Sequence, residues 1–389
     1  MRKSLVSVVA VGIVLGLAAC APTRPASEAS SSSGSSKNAN SASSSGNLYV
    51  RPQPNLQPTV TPSDQGIVWG YAQNIDENSG GMSDPSGRIY PGTKIESKDP
   101  RSALVDGKQP LRMWIADPGN RDSVAARPAI LWFHGGGFAK GLGAMYNLVE
   151  GTGKDYAKRG YVSISVEYRI DTSLVEKGSS STALCQWVQD FTGSASDPTY
   201  LERRAHCNSN IDAALQDALA AIRYVRAHAS ELGVDPNKIA VGGFSAGGVI
   251  AYETAFSWDQ VGDSPYFNGD NLSAADSRPQ AVIGASGTIP PWDDSVLSQI
   301  GPDDVPTSFI ASRFDPAVNY KSTALTVTTA RTAGLVAELT SYCDESLHAE
   351  RLYEAHPRAT DDQWTTFLAR QLGLNTNVRE SSANPLCSN

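Results

Sequence analysis

Gly243-Phe244-Ser245-Ala246-Gly247 is the stretch whose reading decides the architecture of this chain. It follows the apolar run Ile239-Ala240-Val241-Gly242 and precedes Val249-Ile250-Ala251-Tyr252. That context predicts a strand, a sharp turn and a helix, with Ser245 at the turn. Small residues flank the serine because a Cβ two positions away would clash in so tight a turn. The hydroxyl is then held out at the carboxyl end of a sheet strand. Well upstream, His134-Gly135-Gly136-Gly137 follows the apolar run Ala129-Ile130-Leu131-Trp132-Phe133. An exposed serine and a glycine loop able to turn N–H groups toward an oxyanion together point to acyl transfer.

Outward from this pair, strands alternate with helices. Leu111 to Ile115 alternates in polarity and predicts a half-buried strand, while Ala129 to Phe133 and Tyr161 to Val166 read as fully buried strands. A helix is expected around Asp155 to Arg159. Ile211 to Ala229 predicts a strong helix, because Ala214, Leu215, Ala218, Leu219, Ile222 and Val225 recur at spacings of three and four. Asp235-Pro236-Asn237 then turns the chain into the nucleophile strand. Further strands are expected at Gln280 to Gly284, Thr307 to Ala311 and Leu335 to Tyr342, with helices at Val318 to Thr332 and Asp362 to Leu372. The pattern predicts an α/β fold with a mostly parallel central sheet and helices on both faces. Residues 170–210 break the repeat and read as a loop-rich insertion above the sheet.

A serine hydroxyl is a poor nucleophile near neutral pH, so it needs a base, a group that orients the base, and oxyanion donors. Among the five histidines, His134 shapes the glycine loop, His206 lies in the insertion and His228 sits on the long helix. His348, on the loop leaving the last strand, is the expected base, with His356 as the alternative. Asp315, after the strand Thr307 to Ala311, is the expected orienting acid and could also cap the next helix; Asp303 and Asp304 are rivals on the other side of that strand. The order Ser245, Asp315, His348 is that of an α/β hydrolase rather than of trypsin-like or subtilisin-like enzymes. The expected oxyanion donors are the N–H groups of Gly136, Gly137 and Ala246. Phe138, Tyr146, Trp187, Trp258 and Trp292 could line a substrate pocket or simply pack.

His134-Gly135-Gly136-Gly137-Phe138, Val166-Glu167-Tyr168-Arg169 and Gly243-Phe244-Ser245-Ala246-Gly247-Gly248 together resemble the hormone-sensitive-lipase-like esterases of the α/β-hydrolase superfamily, over roughly Leu111 to Leu374. Two departures stand out: Phe244 occupies the place of an aspartate in that family, and no glycine immediately precedes His348. The resemblance implies that Tyr168 and Arg169 support the oxyanion loop from beneath. It also implies a serine carboxylesterase acting on short acyl chains through an acyl-enzyme, without cofactor or metal. A serine peptidase of the same fold and an inactive surface binding protein are the alternatives.

The net charge of −8 argues against nucleic acid as a partner. At the N-terminus Arg2 and Lys3 precede an apolar run from Leu5 to Ala19, too short to span a membrane comfortably. It ends in Leu17-Ala18-Ala19-Cys20, which resembles a bacterial lipobox whose cysteine is lipidated; ordinary cleavage after Ala19 is the alternative. Residues 1–19 are therefore expected to be a signal peptide, 20–46 a Ser-rich disordered tether, and 47–389 a single domain. The protein is expected in the cell envelope, held to the membrane by lipid on Cys20. Cys185, Cys207, Cys343 and Cys387 remain, an even number that favours two disulfides in an exported chain. Of three connectivities, Cys185–Cys207 and Cys343–Cys387 are favoured; a zinc site using Cys207 and His206 is the competing reading.

Overall fold

The computed structural model describes residues 49–62, 65–72, 81–83, 89–91, 109–119, 126–138, 147–169, 198–259, 275–290, 294–374 and 386–387. All of them fall in one compact unit, residues 44–389. The expected signal peptide, the tether, Cys20, Cys185, residues 170–197 of the insertion, Tyr146, Trp187 and Trp292 lie outside the described residues.

Six strands form the parallel heart of the sheet: β6 (Arg127–Phe133), β7 (Val162–Val166), β8 (Val234–Phe244), β9 (Ala281–Ala285), β10 (Thr307–Ser312) and β11 (Ala337–Tyr342). They lie side by side in the order β7-β6-β8-β9-β10-β11, each parallel to its neighbours. Beyond β7, strand β5 (Gln109–Asp117) runs antiparallel, and its outer edge carries β1 (Thr59–Val60) and β2 (Ile67–Ala72) end to end, also antiparallel. A separate antiparallel pair joins β3 (Gly81–Ser83) to β4 (Ile89–Pro91). The helices are α1 (Lys154–Ala157), α2 (Pro198–Ala227), α3 (Ala229–Leu232), α4 (Ala246–Phe256), α5 (Asp294–Gln299), α6 (Tyr320–Thr332), α7 (Glu350–Ala355) and α8 (Pro357–Gln371).

Successive strand residues point to opposite faces, and the core sorts accordingly. Ala129, Leu131 and Phe133 of β6 join one cluster with Leu215, Leu219 and Ile222 of α2 and Ile250 of α4. Ile130 and Trp132 of the same strand join the other, with Trp364, Phe367 and Leu368 of α8. Both faces are thus covered, which is why the inner strands read as unbroken apolar runs.

Four sequence expectations change. The segment Leu111 to Ile115 is not half-buried: Trp114 is fully buried against Val149 and Ala157, so a second layer covers that face as well. The long helix begins at Pro198, inside the expected insertion. Its first turns carry Glu202, Arg203 and Arg204, good helix formers without an apolar stripe, so periodicity could not reveal them. The last helix starts at Pro357 rather than Asp362, with proline at its first turn, where a missing N–H costs nothing. Asp235-Pro236-Asn237 lies within β8 as an interruption of its register with β6, between the pairs Arg127–Val234 and Ala129–Ile239. There the Asn237 N–H donates to the Asp235 carboxylate at 3.0 Å.

Because β6, β8, β10 and β11 are parallel, their carboxyl ends share one edge of the sheet. The glycine loop, Ser245, Asp315 and His348 all leave from that edge, the usual place for a site in an open α/β sheet.

Candidate active site

Ser245 sits between β8 and α4 with φ 56° and ψ −117°, a conformation that non-glycine residues rarely adopt. The turn closes so tightly that a Cβ on Gly243 would lie 2.0 Å from the Gly247 oxygen, and one on Gly247 would lie 1.9 Å from the Phe133 oxygen. Both positions therefore exclude side chains. The Ser245 N–H donates to the Ala285 carbonyl at 3.0 Å, and the Val249 N–H donates to the Ser245 carbonyl at 3.0 Å. These bonds offset the strain by tying the turn to β9 and to the first turn of α4. Phe244, where the resembled family has an aspartate, is fully buried. Its ring stacks on Trp132 at 6.0 Å and meets Tyr353 and Trp364 edge-on at 5.8 and 6.0 Å. An aromatic bed takes the place of a carboxylate beneath the turn.

His348 Nε2 lies 2.8 Å from Ser245 Oγ. On the other side of the ring, Nδ1 lies 2.8 Å from Asp315 Oδ1 and 3.0 Å from Oδ2. With Asp315 ionised, Nδ1 donates and Nε2 is left free to accept the serine proton. The Asp315 side chain is almost fully buried, at 2% exposure against 23% for His348. Its Oδ1 also accepts the N–H groups of Ala317 and Val318 at 2.8 and 2.9 Å. The carboxylate cannot swing away without abandoning these. Asp315 does not cap α6, however: Asn319 does, accepting from the Lys321 N–H at 2.9 Å.

The other candidates are elsewhere. His356 joins α7 to α8, and its Nε2 pairs with Glu345 Oε1 at 2.6 Å while its ring stacks on Tyr342. His228 stacks on Tyr224 and bonds to the Tyr224 carbonyl. Asp303 and Asp304 precede β10, at the opposite edge of the sheet, where the Asp304 carboxylate accepts the Gly301 N–H. The His206 side chain lies outside the described atoms, and Cys207 is disulfide-bonded, which removes the thiolate that a zinc site there would need. Cys343 and Cys387 are joined, with an S–S distance of 2.01 Å. Trp258 lies under the Arg278 guanidinium, and Phe138 is buried against Tyr168.

The glycine loop packs against the serine turn: a Cβ on Gly135 would lie 3.2 Å from Ser245 Cβ. Gly136 and Gly137 take φ of 119° and 61°, turning the backbone sharply over Ser245. Ala246 opens α4, so its N–H belongs to the unsatisfied first turn of a helix. Beneath the loop, the Tyr168 hydroxyl donates to the His134 carbonyl at 2.8 Å, and its ring stacks on the His134 imidazole at 4.4 Å. Burial keeps His134 neutral, lowering its pKa to about 4 against a smaller opposing effect of its bond to the Gly135 carbonyl. Tyr168 thus supports the loop as expected. Arg169 instead grips Asp217 of α2 in a buried pair, Nε to Oδ1 at 2.9 Å. Asp217 was missed in the sequence, although a lone acid among Ala214, Ala218 and Ala221 on an apolar helix face is a visible signal. Glu350 was also missed: its Oε1 would lie 3.1 Å from a Cβ on Gly135, beside the serine turn. No sequence pattern marks it, because only the fold brings α7 to that loop.

Known proteins resemble this chain in sequence and in fold. Residues 198–293, which include the serine turn, match the family model described as BD-FAE. Gut esterase 1 of Caenorhabditis elegans is 27% identical over 233 residues, covering 58% of this chain and 32% of that protein. Esterase LipI of Mycobacterium tuberculosis is 29% identical over 163 residues, covering 41% and 39%. The chain thus spans well under half the length of these curated relatives. Among solved structures, native Thermogutta terrifontis esterase 2 superposes with a TM-score of 0.52 at 20% identity, covering 72% of this chain and 96% of that one. The same enzyme phosphorylated by paraoxon gives 0.51 at 22% identity, covering 69% and 92%. The chain has the α/β-hydrolase fold, and two of the curated relatives with which it aligns are named as esterases.

Proposed function

We propose that this protein is a serine carboxylesterase that works through an acyl-enzyme. The observation that carries the proposal is the continuous line Ser245 Oγ, His348 Nε2, His348 Nδ1, Asp315 Oδ1, with 2.8 Å at each hydrogen bond. As Ser245 Oγ bonds to the ester carbonyl carbon, its proton passes to His348 Nε2. The carbonyl oxygen becomes an oxyanion facing the N–H groups of Gly136, Gly137 and Ala246. One such donor typically contributes about 3 kcal/mol to the transition state. Collapse of the intermediate breaks the bond to the alcohol oxygen, which takes the proton from His348. Water then attacks the acyl-serine by the same route and releases the acid. Asp315 holds the imidazole in the required tautomer and stabilises its cationic form.

Short acyl chains are the proposed substrates, on the resemblance of the His134 to Phe138 motif to esterases that mostly handle them. Nitrophenyl esters of increasing chain length, with Ser245→Ala as control, test both parts. The expected result is a rate highest on the shortest chains and lost in the variant, with peptide anilides left uncleaved. A preference for long chains overturns the substrate assignment; anilide cleavage without ester cleavage overturns the reaction.

The proposed setting is the cell envelope, with the enzyme held by lipid on Cys20 beyond a short tether. Arg2, Lys3, the apolar run to Ala19 and the cysteine that ends it support this. Stable anchoring needs more than one acyl chain, which a diacylglyceryl-cysteine supplies. Labelling of the expressed protein by tritiated palmitate, lost in Cys20→Ala, is the expected outcome. Equal labelling of the variant, or none in either, overturns it.

A further inference from the structure

We infer that Ser286 and Ser312 are positioning residues that clamp the His348 loop from both sides, a role that rests on the esterase reading above. His348 is flanked by Leu347 and Ala349, and each neighbour is held by a serine from the end of a different strand. Ser312, the last residue of β10, donates its hydroxyl to the Leu347 carbonyl at 2.5 Å. Ser286, just beyond β9, accepts the Ala349 N–H on its hydroxyl at 2.8 Å. Both serines are buried, at 0% and 1% exposure.

The imidazole has to reach two partners at once, and packing alone does not hold it, since its side chain is 23% exposed. Its direction is set by the backbone at residues 347–349. That backbone is unusual: Ala349 takes φ 48° and ψ −112°, where alanine does not settle unless its surroundings impose it. Ser286 is itself at φ 52°, and its N–H donates to the Ile310 carbonyl at 3.0 Å, which anchors it to β10.

Ser312 has a second task. Its carbonyl accepts the Asp315 N–H at 3.4 Å, while its hydroxyl holds Leu347. One residue therefore references the acid and the base to the same strand end. The two loops are also joined by bonds from Arg313 N–H to the Tyr342 carbonyl and from Phe314 N–H to the Glu345 carbonyl, each at 3.0 Å. These stop short of His348, and the serine hydroxyls complete the zip. Losing Ser286 leaves the buried Ala349 N–H unpaired, and losing Ser312 frees the half-buried Leu347 carbonyl, so in either case the loop must move to find a new partner.

The test is Ser312→Ala and Ser286→Gly, each made in the native chain and in His348→Ala. Glycine removes the second hydroxyl while suiting the positive φ, so that variant is not penalised for strain. A small misplacement of a reacting group is costly, so each variant is expected to lose about ten-fold or more in kcat on a short nitrophenyl ester with little change in KM. In the His348→Ala background the same changes are expected to cost nothing further, because the clamp acts only through the imidazole. The far-downfield proton resonance of the His348–Asp315 hydrogen bond should weaken in both serine variants, while circular dichroism stays native. Full kcat in the native background, or equal losses in both backgrounds, overturns the clamp and leaves the esterase reading standing. If His348→Ala itself retains the full rate, the esterase mechanism falls and the clamp with it.

Discussion

At the carboxyl edge of the sheet the backbone is strained and the reacting side chains are polar; one layer below, against α8, the backbone is regular and the side chains are aromatic. Of the described non-glycine residues with positive φ, Phe138, Ser245, Ser286 and Ala349 all lie on loops leaving this edge, and only Tyr49 lies elsewhere. The layer below holds Trp132, Tyr156, Phe244, Tyr353 and Trp364, with ring centroids 5.0 to 6.4 Å apart. Unfavourable dihedrals persist where the surroundings over-determine them, and here a dense aromatic bed lies directly under the turn that needs it. Phe244 belongs to both regions, since its ring packs in the bed and its carbonyl leads into Ser245. The contrast teaches that precision and stability are supplied by different residues a few ångströms apart.

That division can be broken by substitution. Ser245→Ala should abolish ester hydrolysis, by about 10⁶-fold in kcat, with the melting temperature nearly unchanged. Asp315→Asn should keep the geometry but leave the imidazole in the wrong tautomer, lowering kcat about 10⁴-fold. If either variant instead unfolds the protein while activity per folded molecule survives, the two regions are not separable in this way.

The converse experiment is Trp364→Ala. It should lower stability by about 3–5 kcal/mol in urea titration, with kcat per folded molecule close to native. A large loss of kcat at full stability would show that the bed tunes the chemistry directly.

The smallest effect expected is on pH dependence, and it sits at the seam between the regions. His134 is buried with a pKa near 4 against 6.5 for the free side chain. Between those values the unfolded chain binds a proton that the folded chain refuses. The stability from neutral His134 is therefore complete above pH 6.5 and is lost as pH falls toward 4, by about 3 kcal/mol over the window. His134→Asn should flatten that part of a plot of urea midpoint against pH. An unchanged slope would place the proton uptake elsewhere.

Legibility in the sequence followed distance along the chain. The serine turn and the glycine loop are contiguous motifs, and each sits where the residues around it say it must. The core strands were readable because two covered faces leave an unbroken apolar run. The first turns of α2 were not, because helix propensity without an apolar stripe leaves no periodic trace. Why Phe244 replaces an aspartate was not legible, because its partners Trp132, Tyr353 and Trp364 lie far away along the chain.

What the sequence determined by itself is local: a strand, turn and helix around Ser245, a glycine loop after β6, and an order of nucleophile, acid and base along the chain. The fold decided which distant groups meet. It set His348 against Ser245 and gave His356 to Glu345, it joined Cys343 to Cys387, and it brought Glu350, Ser286 and Ser312 to the same edge. The physical reason is that a turn is dictated by the dihedrals and steric bulk of a few neighbours. Convergence over a hundred residues is dictated instead by the register of parallel strands, which no short stretch of sequence carries.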